Sequence, residues 1–311
     1  MKKKVVVTAP YLQLEWEKHK DSLNDFEIII PTVIERFEEE EMMQILSHDI
    51  DGIICGDDRI TEKVIDAAKS LKTIVKWGTG IDSINKEYAE SKGIKVLNTP
   101  EAFIIPVSES TIGMMLSIVR KIDENSRLMH EGKWEKIRAS TLSESTVGIL
   151  GYGRIGSYVA ERLSHFTDNI IWHDIKPDAE LKPSGKFFGK RVDLSTLTAE
   201  SDIISIHCDL NPTSYHILNE QNISGMKDGI IIINTARGAI LNEKDIERNL
   251  KSGKIGYVGL DVFETEPLPE DSYFRNCERS IILSHNSNSS SYFWERVHIN
   301  SIKLLKESIN R

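Results

Sequence analysis

The sequence has 311 residues, about twice the length of a typical domain, and therefore predicts two domains with separate hydrophobic cores. Its 39 Lys and Arg against 48 Asp and Glu leave a net charge of -9, which disfavours nucleic acid and anionic membranes as partners. No apolar stretch approaches the roughly 18 residues of a membrane-spanning helix. Three widely spaced cysteines, Cys55, Cys208 and Cys277, form neither a disulfide framework nor a zinc motif and favour the reducing cytoplasm.

Short β-branched runs alternate with amphipathic stretches along the first hundred residues. This alternation is typical of parallel strands that are joined by crossover helices. The runs predict strands at residues 4–8, 26–30, 52–55, 73–76 and 94–97. Together they predict one compact, doubly wound parallel sheet, which ends where Asn98, Thr99 and Pro100 break the pattern.

The rest of the chain predicts a second and larger α/β unit. An apolar-periodic stretch over 107–129 predicts a long helix at the domain crossing. Six parallel strands are then expected at 146–150, 170–174, 202–207, 229–234, 256–261 and 280–283. A basic stretch with Lys182, Lys186, Lys190 and Arg191 predicts a solvated connection, and a last helix at 294–309 is expected to pack on the first unit. The predicted domains are residues 1–99 plus 286–311, and residues 100–285.

A GxGxxG motif at residues 151–156 directly follows the apolar strand of residues 147–150 and opens an amphipathic helix. Gly151 permits a tight turn, Gly153 lets a pyrophosphate approach the backbone, and Gly156 lets helix and strand pack closely. The start of the helix adds free N–H groups and a partial positive charge. This combination predicts a dinucleotide-binding site.

An acidic residue marks the end of the next strand. Asp174 lies 18 residues beyond Gly156 in the motif, where a carboxylate holds the ribose 2′-hydroxyl of a dinucleotide. The same carboxylate repels a 2′-phosphate, so NAD is predicted rather than NADP, although Lys176 nearby leaves use of both cofactors open.

Three polar residues follow three predicted strands of the larger sheet. Arg237, Glu266 and His285 come after the strands at 229–234, 256–261 and 280–283. Ligands of open parallel sheets bind beyond the carboxyl ends of the strands, so these side chains are expected at one edge. An Arg binds a carboxylate, a His transfers a proton near neutral pH, and a Glu orients and stabilises that His. This set predicts reversible oxidation of a 2-hydroxy acid.

In these motifs the chain resembles the D-isomer-specific 2-hydroxyacid dehydrogenases, the group that includes phosphoglycerate dehydrogenase. The resemblance runs nearly end to end. It covers residues 78–82, 93–100, 148–156, 201–207, 233–238 and 261–269. It implies a Rossmann NAD-binding domain inserted into a flavodoxin-like substrate domain, with the active site in the cleft between them.

The resemblance also implies roles for individual residues. Arg237 would bind the substrate carboxylate and polarise the keto oxygen, His285 would be the acid/base, and Glu266 would pair with it. The substrate carboxylate would also meet the backbone of Gly78, Thr79 and Gly80. The remaining cofactor contacts would come from Arg154, Ile155, Cys208, Thr213, Thr235, Ala236 and Asp261. Relatives usually dimerise through the helical region of residues 108–134, so a homodimer is expected.

Some residues depart from the phosphoglycerate dehydrogenase pattern. Where those enzymes carry an Arg-Ser pair after the third strand, this chain has Cys55 and Gly56, followed by Asp57 and Asp58. A phosphate would meet carboxylates there, so 3-phosphoglycerate is predicted not to be the preferred substrate. Asparagines and serines after His285 favour a hydroxylated substrate. Because the sequence ends at Arg311, feedback through an appended regulatory domain is not expected.

The predicted function is therefore an NAD-dependent oxidoreductase that interconverts a small D-2-hydroxy acid and its 2-keto acid. Two alternatives stay open at this point. A formate dehydrogenase has the same architecture but moves no proton, which leaves the Glu266 and His285 pair without a task. A binding protein that resembles the C-terminal-binding corepressors would keep the fold and the NAD site and act by recruiting partners.

Overall fold

The structure is a computed structural model that describes residues 2–181, 183 and 188–309. The chain divides into two compact units, residues 1–103 with 289–311 and residues 104–288. The predicted boundaries, after residues 99 and 285, lie a few residues before those of the structure. Residues 100–103 belong to the first unit because Phe103 is buried there, with its ring centre 5.5 Å from that of Trp77. No described helix is long and apolar enough to cross a membrane.

A five-stranded parallel sheet forms the centre of the first unit. Its strands are β1 (Lys4–Val7), β2 (Glu27–Ile29), β3 (Gly52–Cys55), β4 (Thr73–Lys76) and β5 (Lys95–Leu97). The helices of this part are α1 (Pro10–Leu14), α2 (Trp16–His19), α3 (Glu39–Leu46), α4 (Glu62–Ala67) and α5 (Lys86–Ser91). The strand order β2-β1-β3-β4-β5 is that of flavodoxin-like sheets. Both faces are covered, so the central strands β3 and β4 are buried throughout.

A seven-stranded parallel sheet forms the second unit, in the order β12-β11-β10-β9-β6-β7-β8. Its strands are β6 (Val147–Leu150), β7 (Ile170–His173), β8 (Lys190–Arg191), β9 (Ile203–Ile206), β10 (Ile230–Asn234), β11 (Ile255–Leu260) and β12 (Ser280–Ile282). Its helices are α6 (Ile104–Val119), α7 (Ile122–His130), α8 (Arg154–Leu163), α9 (Leu194–Glu200), α10 (Glu220–Ser224) and α11 (Glu243–Ser252). This is the Rossmann strand order with one added edge strand, and the predicted fold class of two doubly wound parallel sheets is confirmed.

The sequence predicted six strands in this sheet, and the strand that it missed is the edge strand β8. Residues 190 and 191 pair with β7 instead of forming only a solvated connection. The guanidinium of Arg191 lies 5.3 Å from the ring centre of Trp172 and donates to the carbonyl oxygens of Asp174 and Lys176. These contacts hold the short edge strand in place despite its charge. Lys182 and Lys186, which belonged to the same predicted connection, lie outside the described residues.

The helix predicted over residues 107–129 is two helices. The break lies at Lys121, whose φ of +53° ends α6 and starts α7 in a new direction. Within α6 the periodic residues are buried, whereas α7 has no buried residue. The apolar period therefore continues through the break although only its first half faces a core.

The last helix, α12 (Ser291–Ile309), returns to the first unit and packs on β3 and β4, which confirms the predicted packing. The absence of a side chain at Gly52 makes room for it, because a Cβ there would lie 2.9 Å from the Ile309 side chain and 3.0 Å from that of Leu305. The sheet of each unit is wholly parallel, so the loops after its strands meet at one edge. These loops carry most of the candidate site residues.

Candidate active site

The loop between β6 and α8 lets a ligand approach its backbone. Gly151 has a φ of +96°, and a side chain there would overlap the backbone of Cys208. A side chain at Gly156 would overlap the carbonyl oxygen of Gly151, so the helix packs directly against the turn. In contrast, a Cβ at Gly153 would have no protein atom within 4 Å. This open position at the start of α8 suits a pyrophosphate.

Arg154 and Ile155 are the first two residues of α8 and are half-buried. The first N–H groups of a helix lack intrahelical acceptors and carry a partial positive charge, so they attract an anion. The structure thus places both predicted residues beside the open glycine position, where the chain's own atoms leave room for phosphate oxygens.

Asp174 directly follows β7 and its carboxylate lies against the glycine loop. Its Oδ2 accepts a hydrogen bond of 2.8 Å from the backbone N–H of Tyr152, and its Oδ1 accepts one of 2.9 Å from that of Lys176. Tyr152 is fully buried and its ring stacks on Trp172 with 4.2 Å between ring centres. The carboxylate is therefore fixed, and each of its oxygens keeps a lone pair for a ribose hydroxyl.

Two further predicted cofactor residues follow β9. Cys208 lies against Gly151, and burial raises the pKa of its thiol to about 12, so the thiol is protonated at neutral pH. Thr213 is exposed in the next turn, where its N–H and Oγ1 donate to Oδ1 of Asn211 over 2.9 and 2.6 Å. The hydrogen bonds of Thr213 thus stay within its own turn.

Thr235 and Ala236 follow β10. The hydroxyl of Thr235 is 3.0 Å from the hydroxyl of Thr111 in α6. The N–H of Ala236 donates a hydrogen bond of 3.0 Å to Oδ1 of Asn234, the last residue of the strand. Both residues are half-buried and lie on the loop that continues into Arg237.

Arg237 is held by its own loop. Its Nη1 donates to the carbonyl oxygen of Ala236 at 2.8 Å, and its carbonyl oxygen accepts from Nδ2 of Asn234 at 2.8 Å. The next residue, Gly238, touches the neighbouring loop so closely that a side chain there would overlap the backbone of Phe263. The loop of Arg237 is therefore packed against the loop that leads to Glu266.

Glu266 and His285 form the central pair of the site. Oε2 of Glu266 lies 3.0 Å from Nδ1 of His285, and Oε1 of Glu266 accepts from the N–H of Phe263 at 2.9 Å. Their side chains are 19% and 22% exposed, respectively. The carboxylate is thus oriented by the backbone on one side and orients the imidazole on the other, which leaves Nε2 as the ring atom away from the carboxylate.

His285 has a backbone conformation that is rare for a side chain of its type. Its φ is +52°, in the left-handed region, and its N–H donates to the carbonyl oxygen of Asp261 at 2.8 Å. The buried carboxylate of Asp261 accepts from the N–H groups of Asn286 and Ser287, over 2.7 and 3.1 Å. Asp261 therefore holds the segment around His285 in this strained conformation, as is common at functional sites.

The predicted substrate-binding loop, Gly78, Thr79 and Gly80, lies in the first unit at the end of β4. The carbonyl oxygen of Gly78 accepts from the N–H and the hydroxyl of Thr99, each at 2.9 Å. The carbonyl oxygen of Thr79 accepts from Nδ2 of Asn98 at 2.6 Å. Within the described residues, no carbonyl group accepts from the N–H groups of residues 78–80, which suits an anion-binding loop.

The two carboxylates that follow β3, those of Asp57 and Asp58, have different surroundings. Asp58 is buried and accepts from the hydroxyl of Thr8, the N–H of Gly56 and the N–H of Phe37, so it holds its own loop together. Burial raises the pKa of its carboxyl group. The side chain of Asp57, in contrast, is 37% exposed.

Sequence reasoning missed a charged residue at this place. Lys76 is the last residue of β4 and is 4% exposed, with Nζ 3.1 Å from Oδ1 of Asp57. The available signal was a charged residue at the end of the strand of residues 73–76, two positions before the loop of residues 78–80.

Comparison with known proteins shows which family the chain is similar to. The family model described as D-isomer specific 2-hydroxyacid dehydrogenase, NAD binding domain, matches residues 112–287. A hydroxypyruvate reductase from Thermotoga maritima is 38% identical over 280 residues, which are 88% of this chain and 89% of that protein. A D-3-phosphoglycerate dehydrogenase from Methanocaldococcus jannaschii is 34% identical over 293 residues, and the match covers 92% of this chain but only 54% of that protein.

A solved structure agrees with these matches. The D-lactate dehydrogenase from Aquifex aeolicus, crystallised with NAD and lactic acid, superposes with a TM-score of 0.86 at 27% identity and covers 99% of this chain and 95% of that chain. The chain belongs to the D-isomer specific 2-hydroxyacid dehydrogenase family and is an NAD-dependent oxidoreductase.

Proposed function

We propose that the chain interconverts a small D-2-hydroxy acid and its 2-keto acid, with Arg237, Glu266 and His285 as its catalytic groups. The observation that carries this proposal is the 3.0 Å contact between Glu266 and His285. The pair lies beyond two adjacent strands of a sheet whose next strand leads to Arg237. A proton donor, its orienting carboxylate and a guanidinium are the groups that reduction of a 2-keto acid needs.

The proposed chemistry follows from which atom faces which partner. Nδ1 of His285 donates to Glu266, so Nε2 is the atom that exchanges a proton with the substrate oxygen. In reduction, protonated His285 gives its Nε2 proton to the keto oxygen while the carboxylate of Glu266 stabilises the positive ring. In oxidation, neutral His285 accepts the hydroxyl proton at Nε2. Arg237 binds the substrate carboxylate in both directions, and NADH, when bound, supplies the hydride.

The other predicted site residues complete the proposal. We assign substrate carboxylate binding to the N–H groups of Gly78, Thr79 and Gly80. We assign cofactor binding to the glycine loop and to the residues that follow β7, β9, β10 and β11, namely Gly151, Gly153, Arg154, Ile155, Gly156, Asp174, Cys208, Thr213, Thr235, Ala236 and Asp261. Asp174 supports a preference for NADH over NADPH, because a fixed carboxylate repels a 2′-phosphate.

For the substrate we propose a small 2-keto acid with an uncharged, hydroxylated tail. The relative named hydroxypyruvate reductase supports this choice. One relative is named D-3-phosphoglycerate dehydrogenase, yet the carboxylate of Asp57 after β3 disfavours a phosphate there. Turnover of 3-phosphohydroxypyruvate above that of every uncharged-tail 2-keto acid would contradict this part of the proposal.

The test is a panel of 2-keto acids with NADH, followed by absorbance at 340 nm, for the wild type and two variants. His285→Asn suits the left-handed backbone of that position and is expected to lower kcat/KM at least about 100-fold. His216→Asn is the matched control, because His216 also has a positive φ and also pairs with a glutamate, Glu264, at 2.8 Å. Retained activity in His285→Asn would overturn the role of His285.

The same panel separates the two alternative functions. Oxidation of formate with NAD, without turnover of any 2-keto acid, would favour a formate dehydrogenase. Binding of NADH without turnover of any substrate would favour a protein that acts as a sensor. The Glu266 and His285 pair disfavours the first result, because hydride transfer from formate releases no proton for a base to accept.

We also propose a homodimer in the cytoplasm. Ile122, Met129 and Trp134 are 56%, 47% and 85% exposed around one concave surface of the second unit, which suits burial against a second copy. The three cysteines are unpaired, in keeping with a reducing compartment. Trp134→Glu is expected to convert a dimer into a monomer in light scattering after size exclusion, and a monomeric wild type would contradict the proposal.

A further inference from the structure

Arg191 links the edge strand β8 to the turn that carries Asp174. Its Nη2 donates to the carbonyl oxygen of Asp174 at 2.8 Å and to that of Lys176 at 2.7 Å. Its Nη1 donates to Oδ1 of Asp178, and its guanidinium lies 5.3 Å from the ring centre of Trp172. A guanidinium has five N–H donors, so the hydrogen bonds to this turn use three of them.

The turn of residues 174–176 is held by two sets of hydrogen bonds. Within the turn, Oδ1 of Asp174 accepts from the N–H of Lys176 at 2.9 Å. Such a bond from an aspartate to the N–H two residues later forms an Asx turn. Arg191 adds the second set, since it binds the carbonyl oxygens of both residues. The direction of the Asp174 carboxylate therefore depends on Arg191 as well as on the turn itself.

The strand that carries Arg191 lies unusually close to β7. A Cβ on Gly189 would be only 2.4 Å from the carbonyl oxygen of Ile170, so the absence of a side chain permits this approach. On the other side of Arg191, the carbonyl oxygen of Val192 is 3.0 Å from Nδ1 of His173, the last residue of β7. These contacts place Arg191 at the carboxyl end of β7, where the proposed ribose site lies.

We propose that Arg191 is a positioning residue for the choice of cofactor, because it directs the carboxylate of Asp174 to the adenosine ribose and so favours NADH over NADPH. This inference rests on the proposed function, in which Asp174 contributes to the cofactor site. An arginine near a ribose 2′-phosphate would by its charge alone favour NADPH. The contacts predict the opposite sign, because the guanidinium is bound to the turn and paired with Asp178.

The first test is the ratio of the Kd for NADPH to the Kd for NADH, from titration of the fluorescence of each nucleotide with the full chain. Arg191→Gln is expected to lower this ratio about tenfold, because a hydrogen bond from the ribose to a fixed carboxylate is lost for NADH only. A rise in the ratio would mean that Arg191 attracts the phosphate. An unchanged ratio would mean that it only stabilises the edge strand. Either result would overturn the proposal.

Arg162→Gln is the matched control. The guanidinium of Arg162 also lies over an aromatic ring, 3.4 Å from the ring centre of Tyr158, and donates to the hydroxyl of that residue. It belongs to the last turn of α8, at the opposite end from the glycine loop, so the control is expected to keep the wild-type ratio.

Arg191→Lys separates geometry from charge and retains an aliphatic chain on the edge strand. Lysine keeps the positive charge but lacks the planar fork that binds two carbonyl oxygens and a carboxylate together. This variant is expected to lower the ratio in the same direction as Arg191→Gln. A wild-type ratio in Arg191→Lys would show that charge is sufficient and would overturn the positioning role, even if Arg191→Gln does not fold.

The second test shows whether Arg191 acts through Asp174. In an Asp174→Ala background no carboxylate remains to be positioned, so adding Arg191→Gln is expected to change the ratio of the two Kd values by less than about twofold. A further change of about tenfold in this background would mean that Arg191 contacts the nucleotide directly, which would contradict the proposal.

The third test isolates the 2′-hydroxyl by competition of AMP and 2′-deoxy-AMP with NADH. The wild type is expected to bind AMP about tenfold more tightly, and Arg191→Gln is expected to lose most of this preference. An undiminished preference in the variant would overturn the role of Arg191. These measurements require no turnover, so a wild type that reduces no 2-keto acid would contradict the proposed function without deciding their outcome.

Discussion

Replacing Glu266 with glutamine tests the acid/base pair through its pH dependence. The substitution keeps the size of the side chain and an oxygen for the N–H of Phe263, but it removes the charge 3.0 Å from Nδ1 of His285. At 3.0 Å two unit charges interact by about 1.4 kcal/mol in water and about 5.5 kcal/mol at an effective dielectric constant of 20. The side chains are about one-fifth exposed, so the effect lies between these limits.

This energy sets the expected shift. One pH unit corresponds to about 1.4 kcal/mol, so the loss of the carboxylate moves the pH profile of the acid/base group to lower pH by at least about one unit. Reduction needs the protonated ring, so above the shifted limb the kcat/KM of Glu266→Gln is expected to lie at least about tenfold below that of the wild type. Oxidation needs the neutral ring, so its kcat/KM is expected to begin to rise at a lower pH than in the wild type. Both limbs therefore move in the same direction.

The assay is kcat/KM from pH 5 to 10 in both directions, with Glu270→Gln as control because Glu270 is an exposed acid of the same segment. Equal loss of activity at every pH, without movement of either limb, would refute the proposed pairing. Such a result would mean that Glu266 holds only the loop.

Three further predictions concern the cofactor loop and the stability of the first unit. Gly153→Ala is expected to raise the Kd for NADH without changing the melting temperature, because a Cβ there overlaps no protein atom. Gly156→Ala is expected to raise the Kd and also to lower the melting temperature, because its Cβ overlaps the carbonyl oxygen of Gly151. NADH titration and thermal unfolding check this, and the same melting temperature for both variants would contradict it. Asp174→Ala is expected to lower the preference for NADH over NADPH at least about tenfold in kcat/KM, and an unchanged ratio would exclude its role at the ribose. Burial lowers the pKa of His298 to about 4 from its ordinary 6.5. On acidification the imidazole therefore binds a proton in the unfolded chain before it does so in the folded one, and the free energy of unfolding falls by about 3 kcal/mol between pH 6.5 and 4. In urea unfolding at both pH values, His298→Gln is expected to lose less stability on acidification than the wild type or the exposed control His48→Gln, and an equal loss would contradict this account.

Much of the candidate cofactor site could be predicted because its signals are local. The glycine spacing, the strand before it and the helix after it are contiguous in sequence, and Asp174 lies one strand further along. The pairing of Glu266 with His285 was within reach because parallel strands bring the residues after them to one edge. In each case a short-range pattern combines with a rule of sheet geometry.

Other features depend on contacts that no local pattern encodes. The break at Lys121 interrupts an unbroken apolar period, and β8 forms from charged residues because Arg191 lies over Trp172. The burial of Asp58 depends on donors from Thr8, just after β1, and from the loop before α3. Lys76 sits in an apolar strand because its charge is neutralised by Asp57, 19 residues earlier in the chain.

The central claim is that Arg237, Glu266 and His285 act together on a 2-keto acid next to bound NADH. The most direct measurement is a crystal structure of the protein with NADH and oxamate, an unreactive isostere of pyruvate. The account predicts Nε2 of His285 within about 3 Å of the oxamate oxygen that replaces the keto oxygen, and the guanidinium of Arg237 on its carboxylate. An oxamate bound elsewhere, or these two side chains directed away from the nicotinamide ring, would contradict it.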